Sequence, residues 1–205
     1  MTSHWWWRPG WRIGRSFYTW HRTFADDPDM AQLVDRYRGT LTRFDSLDVL
    51  RTDQLHLTIQ GVGFTDEVTD SDVSAIVEAT RLELASVATP TVAVGRPHVD
   101  RETVQVAISP VGAVAELRVA LRCGIAAVWG AEHVPESMDG FRPHVTLAYS
   151  NSDHDRGEVE RKVDQIEARS ARFAVPTLSL IRLNRDNARY EWDEIVSLPV
   201  GAGAD

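Results

Sequence analysis

The chain has 205 residues, of which 43% are hydrophobic and 25% charged, and its formal net charge is −8 at pH 7. This composition is typical of a globular protein, and the length suits one domain. The negative charge argues against a protein that coats long duplex nucleic acid, because such proteins neutralise phosphates with lysine and arginine. A small nucleotide or an RNA end could still bind in a local basic pocket.

Several classes of protein are disfavoured by what the sequence lacks. No apolar run reaches the roughly 20 residues that a membrane span needs, and the amino terminus has no hydrophobic signal core. We therefore expect a cytoplasmic protein without a membrane partner, and we expect a monomer. The single cysteine, Cys123, excludes an internal disulfide and a cysteine-built zinc site. We expect its side chain to be buried on an apolar helix face.

The predicted elements alternate between strands and helices. The first strand covers residues 16–24, and the helix after it has Asp27 as N-cap and Pro28 in its first turn. Its apolar stripe consists of Met30, Leu33, Val34, Tyr37 and Leu41. The later elements are, in chain order, a strand at 55–60, a helix at about 71–85, strands at 91–95 and 103–109, a helix at about 111–128, a strand at 144–149, a helix at 157–169, and a hairpin of strands 177–183 and 190–198.

A weak internal repeat runs through these elements. The order strand, helix and His-x-Thr strand occurs at residues 16–60 and again at 103–149. We therefore expect an α+β fold in which two similar lobes of antiparallel sheet, with flanking helices, surround a central cleft. Residues 1–205 would form a single domain, with lobes at about 14–100 and 101–200. Each lobe would contribute one His-x-Thr strand to the cleft.

The two His-x-Thr strands carry the candidate chemistry. Side chains at positions i and i+2 of a strand point the same way, so His56 projects beside Thr58 and His144 beside Thr146. Two imidazoles and two hydroxyls around one small space suit in-line attack on phosphorus. One neutral imidazole takes a proton from water, the other protonates the leaving alkoxide, and the hydroxyls hold phosphoryl oxygens.

The bare His-x-Thr pattern is common, and a third copy occurs in His21-Arg22-Thr23. The copies at 56 and 144 alternate with apolar residues and follow a helix at similar distances, whereas His21 lies in the first strand. His21 is therefore either a third group of the site or a packed strand residue.

The strand sequences LHLTIQGVGF (55–64) and FRPHVTLAYS (141–150) closely resemble the two signature strands of the two-histidine (2H) phosphoesterases. This superfamily includes bacterial proteins named 2'-5' RNA ligases and cyclic phosphodiesterases. The resemblance covers most of the chain, including FYTWHRTF (17–24), VAISPVGAVAELRVAL (106–121) and LSLIRLNRDNARYEW (178–192).

The resemblance implies a function and roles for the site residues. His56 and His144 would be the catalytic acid–base pair, and Thr58 and Thr146 the phosphate-binding hydroxyls. The expected enzyme is a metal-independent phosphodiesterase, a hydrolase without cofactor that acts on the 2',3'-cyclic phosphates of nucleotides or RNA ends. A 2'-5' RNA ligase acting on RNA ends and a nucleotide-binding module without turnover remain as alternatives. The sequence does not tell which histidine is the acid or which hydroxyl leaves.

One position departs from the family pattern. Some relatives have an arginine five residues after the second histidine, where this chain has Tyr149. The phosphate is then bound either by uncharged groups alone or with the help of Arg142 or another arginine.

Aromatic residues near the amino terminus could contact a substrate base. Tyr18 and Trp20 could stack on a nucleobase, although core packing is also consistent with their strand position. The cluster Trp5, Trp6, Trp7 and Trp11 could either stack on bases or form a flap over apolar surface. No His/Asp/Glu spacing matches a zinc pattern, and no phosphate-binding loop for nucleoside triphosphates occurs.

Overall fold

The computed structural model describes residues 1–201. Within that range the chain forms ten strands and four α-helices. The strands are β1 (Phe17–Thr23), β2 (Leu47–Val49), β3 (His56–Phe64), β4 (Thr91–Val94), β5 (His98–Val99), β6 (Thr103–Ser109), β7 (His144–Ser150), β8 (Ala171–Ala174), β9 (Thr177–Asn184) and β10 (Glu191–Pro199). The helices are α1 (Pro28–Leu41), α2 (Asp70–Ala85), α3 (Val111–Trp129) and α4 (Arg156–Asp164).

The strands form one antiparallel sheet in the order β10-β9-β1-β3-β7-β6-β4-β8, with β2 added to β7 and β5 to β6. β1 is flanked by β3 and β9, and β7 by β3 and β6. The α+β prediction is confirmed. The topology brings the two His-x-Thr strands, β3 and β7, together at the centre of the sheet.

Helix α1 shows how the sequence specifies a local element. The Asp27 side chain accepts a hydrogen bond from the Met30 N–H at 3.0 Å, and Pro28 occupies the first turn, where no intrahelical donor is needed. All five residues of the predicted apolar stripe are buried: Met30, Leu33, Val34, Tyr37 and Leu41. The predicted capping and burial of this helix are therefore confirmed.

Helices α2 and α3 pack closely on each other. Their approach depends on Gly124 of α3, because a Cβ at this position would overlap the Thr80 hydroxyl oxygen and lie 2.8 Å from the Thr80 backbone. Thr80 is fully buried. This contact leaves no room for a side chain at position 124 of α3.

Some predicted boundaries were wrong. β3 continues past residue 60 to Phe64 because it stays paired with β1, despite two glycines. α4 ends at Asp164 rather than at 169, since the chain turns at Ile166 to enter β8. The short strands β2, β5 and β8 were not predicted.

Cys123 was also predicted wrongly. Its side chain is exposed, because α3 turns Leu121 and Ile125 inward instead. No helix in residues 1–201 has the length and apolar character that crossing a membrane requires.

Candidate functional site

The two motif strands are direct neighbours. β3 and β7 run antiparallel with Leu57 opposite Val145, and both of these side chains are fully buried behind the sheet. The alternation of side chains therefore turns the motif residues to the other face. There His56, Thr58, His144 and Thr146 line one cavity of about 270 Å³.

The two histidines are held in the same way. The Nδ1–H of His56 donates to the carbonyl oxygen of Gln54 at 3.0 Å, and the Nδ1–H of His144 donates to that of Arg142 at 2.9 Å. A carbonyl oxygen only accepts, so each bond fixes the neutral ring as the Nδ1–H tautomer. In both rings Nε2 is then the nitrogen that can exchange a proton with a ligand in the cavity.

His21 is the third histidine of the cavity. Its Nε2 and the Thr58 hydroxyl are hydrogen-bonded at 3.0 Å, and its ring stacks on His56 with centroids 4.8 Å apart and planes 4° from parallel. His21 is 1% exposed, so it is at the same time a packed residue and a lining residue. Both interpretations of its sequence position therefore describe part of its environment.

Burial keeps the rings of His56 and His21 neutral. Desolvation lowers the pKa of His56 to about 4, with a further decrease from the neighbouring His144 and an opposing effect of the Gln54 carbonyl. Desolvation likewise lowers the pKa of His21 well below its ordinary value, and the facing His56 adds to this. A neutral His56 at physiological pH has a free Nε2 lone pair and can act as a base.

Tyr18 and Trp20 do not line the cavity. Trp20 is fully buried and Tyr18 is 8% exposed, and both belong to the hydrophobic core. On β1 the cavity is lined instead by Phe17, Thr19 and His21, which alternate with these two residues. The structure therefore contradicts the stacking role considered for Tyr18 and Trp20.

The predicted arginine contact is also absent from the cavity. Arg142 is exposed and lies outside the lining, although its carbonyl orients His144. Tyr149 is 4% exposed and does line the cavity. The buried guanidinium of Arg185 lies behind the wall, with its central carbon 5.5 Å from the Tyr190 ring and 5.8 Å from the Trp11 ring. Positive charge near the cavity thus comes from a position that the sequence analysis did not select.

The amino-terminal segment, residues 1–15, forms part of the wall. His4 is buried against Tyr149, with ring centroids 4.3 Å apart. Its Nδ1–H donates to Glu102 at 3.1 Å, and its Nε2 accepts from the Tyr190 hydroxyl at 3.0 Å. Burial and the nearby arginines lower the pKa of His4 to about 4.

The tryptophan cluster divides between packing and exposure. Trp5 packs on Tyr149 and Tyr190, and its indole N–H donates to Asp48 at 2.8 Å. Trp11 lines the cavity, whereas Trp6 and Trp7 are 49% and 45% exposed. Trp5 therefore covers other aromatic residues, as the flap interpretation expects, whereas Trp11 faces the cavity, where either interpretation applies.

The lining also contains residues that the sequence did not single out: His4, Phe17, Thr19, Thr103, Glu136, Leu183 and Tyr190. Phe17 and Thr19 share a strand face with His21, which could have indicated them. His4 and Glu136 lie outside the helices and strands, so no periodicity points to them. No cluster of three or more His, Cys, Asp or Glu side chains suited to a metal ion occurs among residues 1–201.

Comparison with known proteins identifies the family. The sequence from residue 25 to residue 187 matches the family described as the 2'-5' RNA ligase superfamily, which covers most of the chain and both motif histidines. The protein belongs to this superfamily of 2H phosphoesterases. A search among curated proteins gives no match.

Solved structures share the superfamily fold. TT0787 of Thermus thermophilus has 17% sequence identity and a TM-score of 0.69, over 93% of this chain and 100% of its own. Escherichia coli LigT complexed with ATP has 14% identity and a TM-score of 0.63, over 91% of this chain and 99% of its own. The MHV ns2 PDE domain has 11% identity and a TM-score of 0.56, over 82% of this chain and 99% of its own. The curled antiparallel sheet with flanking helices is thus the fold of this superfamily.

Proposed function

We propose that the protein is a metal-independent phosphodiesterase that hydrolyses the 2',3'-cyclic phosphates of nucleotides or RNA ends. The main support is the pairing of β3 with β7, which brings His56 and His144 to one cavity. In both histidines Nδ1 is hydrogen-bonded to a backbone carbonyl, so that Nε2 is free for the reaction. Membership of the superfamily supports this proposal. Nucleotide ligands are also supported by the LigT structures, which were solved with ATP, NADP+ and 3'-AMP.

The proposed reaction is an in-line displacement by water. His56, neutral because burial lowers its pKa to about 4, takes a proton at Nε2 as water attacks phosphorus. The new P–O bond forms while the ring P–O bond breaks, and protonated His144 donates its Nε2 proton to the leaving ribose oxygen. Acid–base assistance of this kind contributes roughly 10²–10⁴-fold to a rate.

The two threonines would hold the phosphoryl oxygens. Thr146 is 4% exposed and Thr58 is accessible in the cavity. The His21 bond to the Thr58 hydroxyl orients that group. A cyclic phosphate suits such a site because its strained ring opens readily, which leaves proton transfer and positioning to the protein.

The test is ring opening in the presence of EDTA. We expect a 2',3'-cyclic mononucleotide to be converted to a monoester at a rate that the chelator does not change, and a phosphomonoester to remain intact. Activity that is lost with EDTA and restored by one divalent metal would contradict the proposal and indicate metal-assisted hydrolysis.

The description of the superfamily favours one alternative, the joining of RNA ends by the reverse reaction through a cyclic phosphate. Incubation with two RNA halves, one ending in a 2',3'-cyclic phosphate, distinguishes the two. A 2'-5'-linked product would support the ligase, and ring opening alone would support the hydrolase. Tight nucleotide binding with neither product would indicate a binding module without turnover.

A further inference from the structure

A carboxylate lies in the same cavity as the histidines. Glu136, in the loop between α3 and β7, lines the cavity, and its side chain is 46% exposed. A carboxylate repels a phosphate. In a site for phosphodiesters, Glu136 would therefore contact a part of the ligand other than its phosphate. The ligand group that faces Glu136 must be a hydrogen-bond donor or a cation.

The position of Glu136 is held by two arginines of α3. Arg122 donates to the carbonyl oxygens of Pro135 and Glu136 at 2.8 and 2.5 Å, and Arg118 donates to the Ser137 carbonyl at 2.9 Å. The backbone of Glu136 has a φ of 59°, in the left-handed region that a non-glycine residue rarely adopts. Such conformations persist where the surroundings over-determine them, and they concentrate at functional sites.

One carboxylate oxygen is left for a ligand. Arg118 binds Oε2 of Glu136 at 3.2 Å, and the Gly61 N–H also reaches Oε2, at 3.4 Å. No hydrogen bond from residues 1–201 reaches Oε1. A Cβ on Gly61 would lie 2.7 Å from this Oε1 and 3.0 Å from Cε1 of Phe17. Because Gly61 has no side chain, Oε1 of Glu136 and the Phe17 ring can both lie against the strand at this point.

Aromatic surface adjoins this oxygen. Phe17 and Trp11 both line the cavity, with ring centroids 5.8 Å apart and planes tilted by 37°. Gly61 is three residues from Thr58 along β3, which is roughly 10 Å in an extended strand. A single nucleoside spans a comparable distance between its phosphate and the far edge of its base. This end of the cavity therefore combines the flat apolar surface of Trp11 and Phe17 with one acceptor, Oε1 of Glu136. The base of a nucleotide whose phosphate lies at Thr58 would reach both.

We infer that Trp11, Phe17 and Glu136 form a nucleobase subsite that selects guanine. Guanine presents two adjacent N–H donors, N1–H and the 2-amino group, on one edge, and the two lone pairs of the free Oε1 can accept both. Uracil presents one N–H between two carbonyl oxygens, which the carboxylate would repel. This inference rests on the proposed function, since it assumes a nucleotide with its phosphate at His56 and His144.

The test compares bases in the wild type and two variants. Glu136→Gln keeps the size of the side chain but removes the charge and one acceptor, and Asp139→Asn removes the same charge from an exposed position of the same loop. We expect kcat/KM for 2',3'-cyclic GMP to exceed that for 2',3'-cyclic UMP by on the order of 10-fold in the wild type and in Asp139→Asn. Glu136→Gln should lose most of this ratio while it still opens the uridine substrate.

Binding of the 3'-monophosphates, measured by titration calorimetry, separates the two proposals. Ring opening of both substrates with an unchanged ratio in Glu136→Gln, or with no preference in the wild type, would overturn the guanine subsite and leave the proposed function standing. If no substrate is opened but 3'-GMP binds more tightly than 3'-UMP in a Glu136-dependent way, the subsite is supported and the hydrolase is contradicted. Failure of both turnover and binding would overturn both.

Discussion

At the scale of single residues, the proposed catalysis depends on two imidazoles in different environments. His56 is 8% exposed and His144 is half-buried, although each gives its Nδ1–H to a carbonyl two residues earlier in the chain. The bonds fix which nitrogen faces the cavity, and burial makes His56 the neutral partner. This asymmetry supports His56 as the base and His144 as the acid in hydrolysis.

Removal of either imidazole should therefore abolish proton transfer. We expect His56→Ala and His144→Ala each to lower kcat/KM for cyclic phosphate hydrolysis by at least about 10²-fold, while circular dichroism shows a folded protein. His98→Ala is the matched control, because His98 is an exposed histidine on β5 outside the cavity. Near-normal activity in either motif variant would contradict the assignment.

Strand alternation explains which site residues could be predicted. The motif pairs were predictable because each His and Thr share a face, whereas Trp20 and His21 are adjacent on β1 and must point to opposite faces. His21 lines the cavity and Trp20 packs in the core. Glu136 could not be predicted, because it lies in a loop whose path to the cavity no periodic pattern specifies.

At the scale of elements, the long amphipathic segments were predictable and the short strands were not. α1, α3 and β6 follow clear apolar periodicity, and their predicted positions agree with the structure. β5 has two residues and β2 has three, too few for any period to be recognised. β2 forms because it can pair with the backbone of β7, and β5 forms because it can pair with that of β6.

The close approach of α2 and α3 gives a prediction about stability. Gly124→Ala should lower the free energy of unfolding by about 1–3 kcal/mol, since the new methyl group would overlap Thr80 and force the helices apart. Gly112→Ala on the same helix meets no atom within 4 Å and should be neutral or stabilising by up to about 1 kcal/mol. Urea denaturation measures both. Equal effects of the two substitutions would show that α2 and α3 do not make a close contact at Gly124.

At the scale of the whole molecule, the cavity is completed by distant parts of the chain. The amino-terminal segment reaches β7 through the His4 N–H, which donates to the Ser150 carbonyl at 2.7 Å, and it meets the β9–β10 turn through Arg185, which donates to the His4 carbonyl at 2.9 Å. The family match begins only at residue 25, after this segment and β1. The division into two lobes, the monomeric state and the cytoplasmic location stay predictions.

The buried histidines also predict acid sensitivity of the whole fold. His4, His21 and His56 have lowered pKa values in the folded state, so the unfolded chain binds more protons below about pH 6.5. The free energy of unfolding should therefore fall as the pH decreases from about 6.5 towards 4, by up to about 1.4 kcal/mol per pH unit for each histidine.

Urea denaturation between these pH values checks this prediction. His4→Gln should reduce the slope of stability against pH, because one buried titrating group is removed. His98→Gln, the same substitution at an exposed position, is the matched control. A wild-type stability that does not change over this range would contradict the burial of neutral imidazoles.

The proposed mechanism requires one neutral and one protonated imidazole to act together on a cyclic phosphodiester. It is tested most directly by the pH dependence of kcat/KM for ring opening of a 2',3'-cyclic nucleotide, measured in EDTA. We predict a bell-shaped profile whose acid limb lies below pH 6.5, because burial lowers the pKa of His56 to about 4 and the limbs report the free enzyme. Loss of either histidine should remove the bell together with the rate. A profile that is flat between about pH 5 and 9 would contradict paired acid–base catalysis.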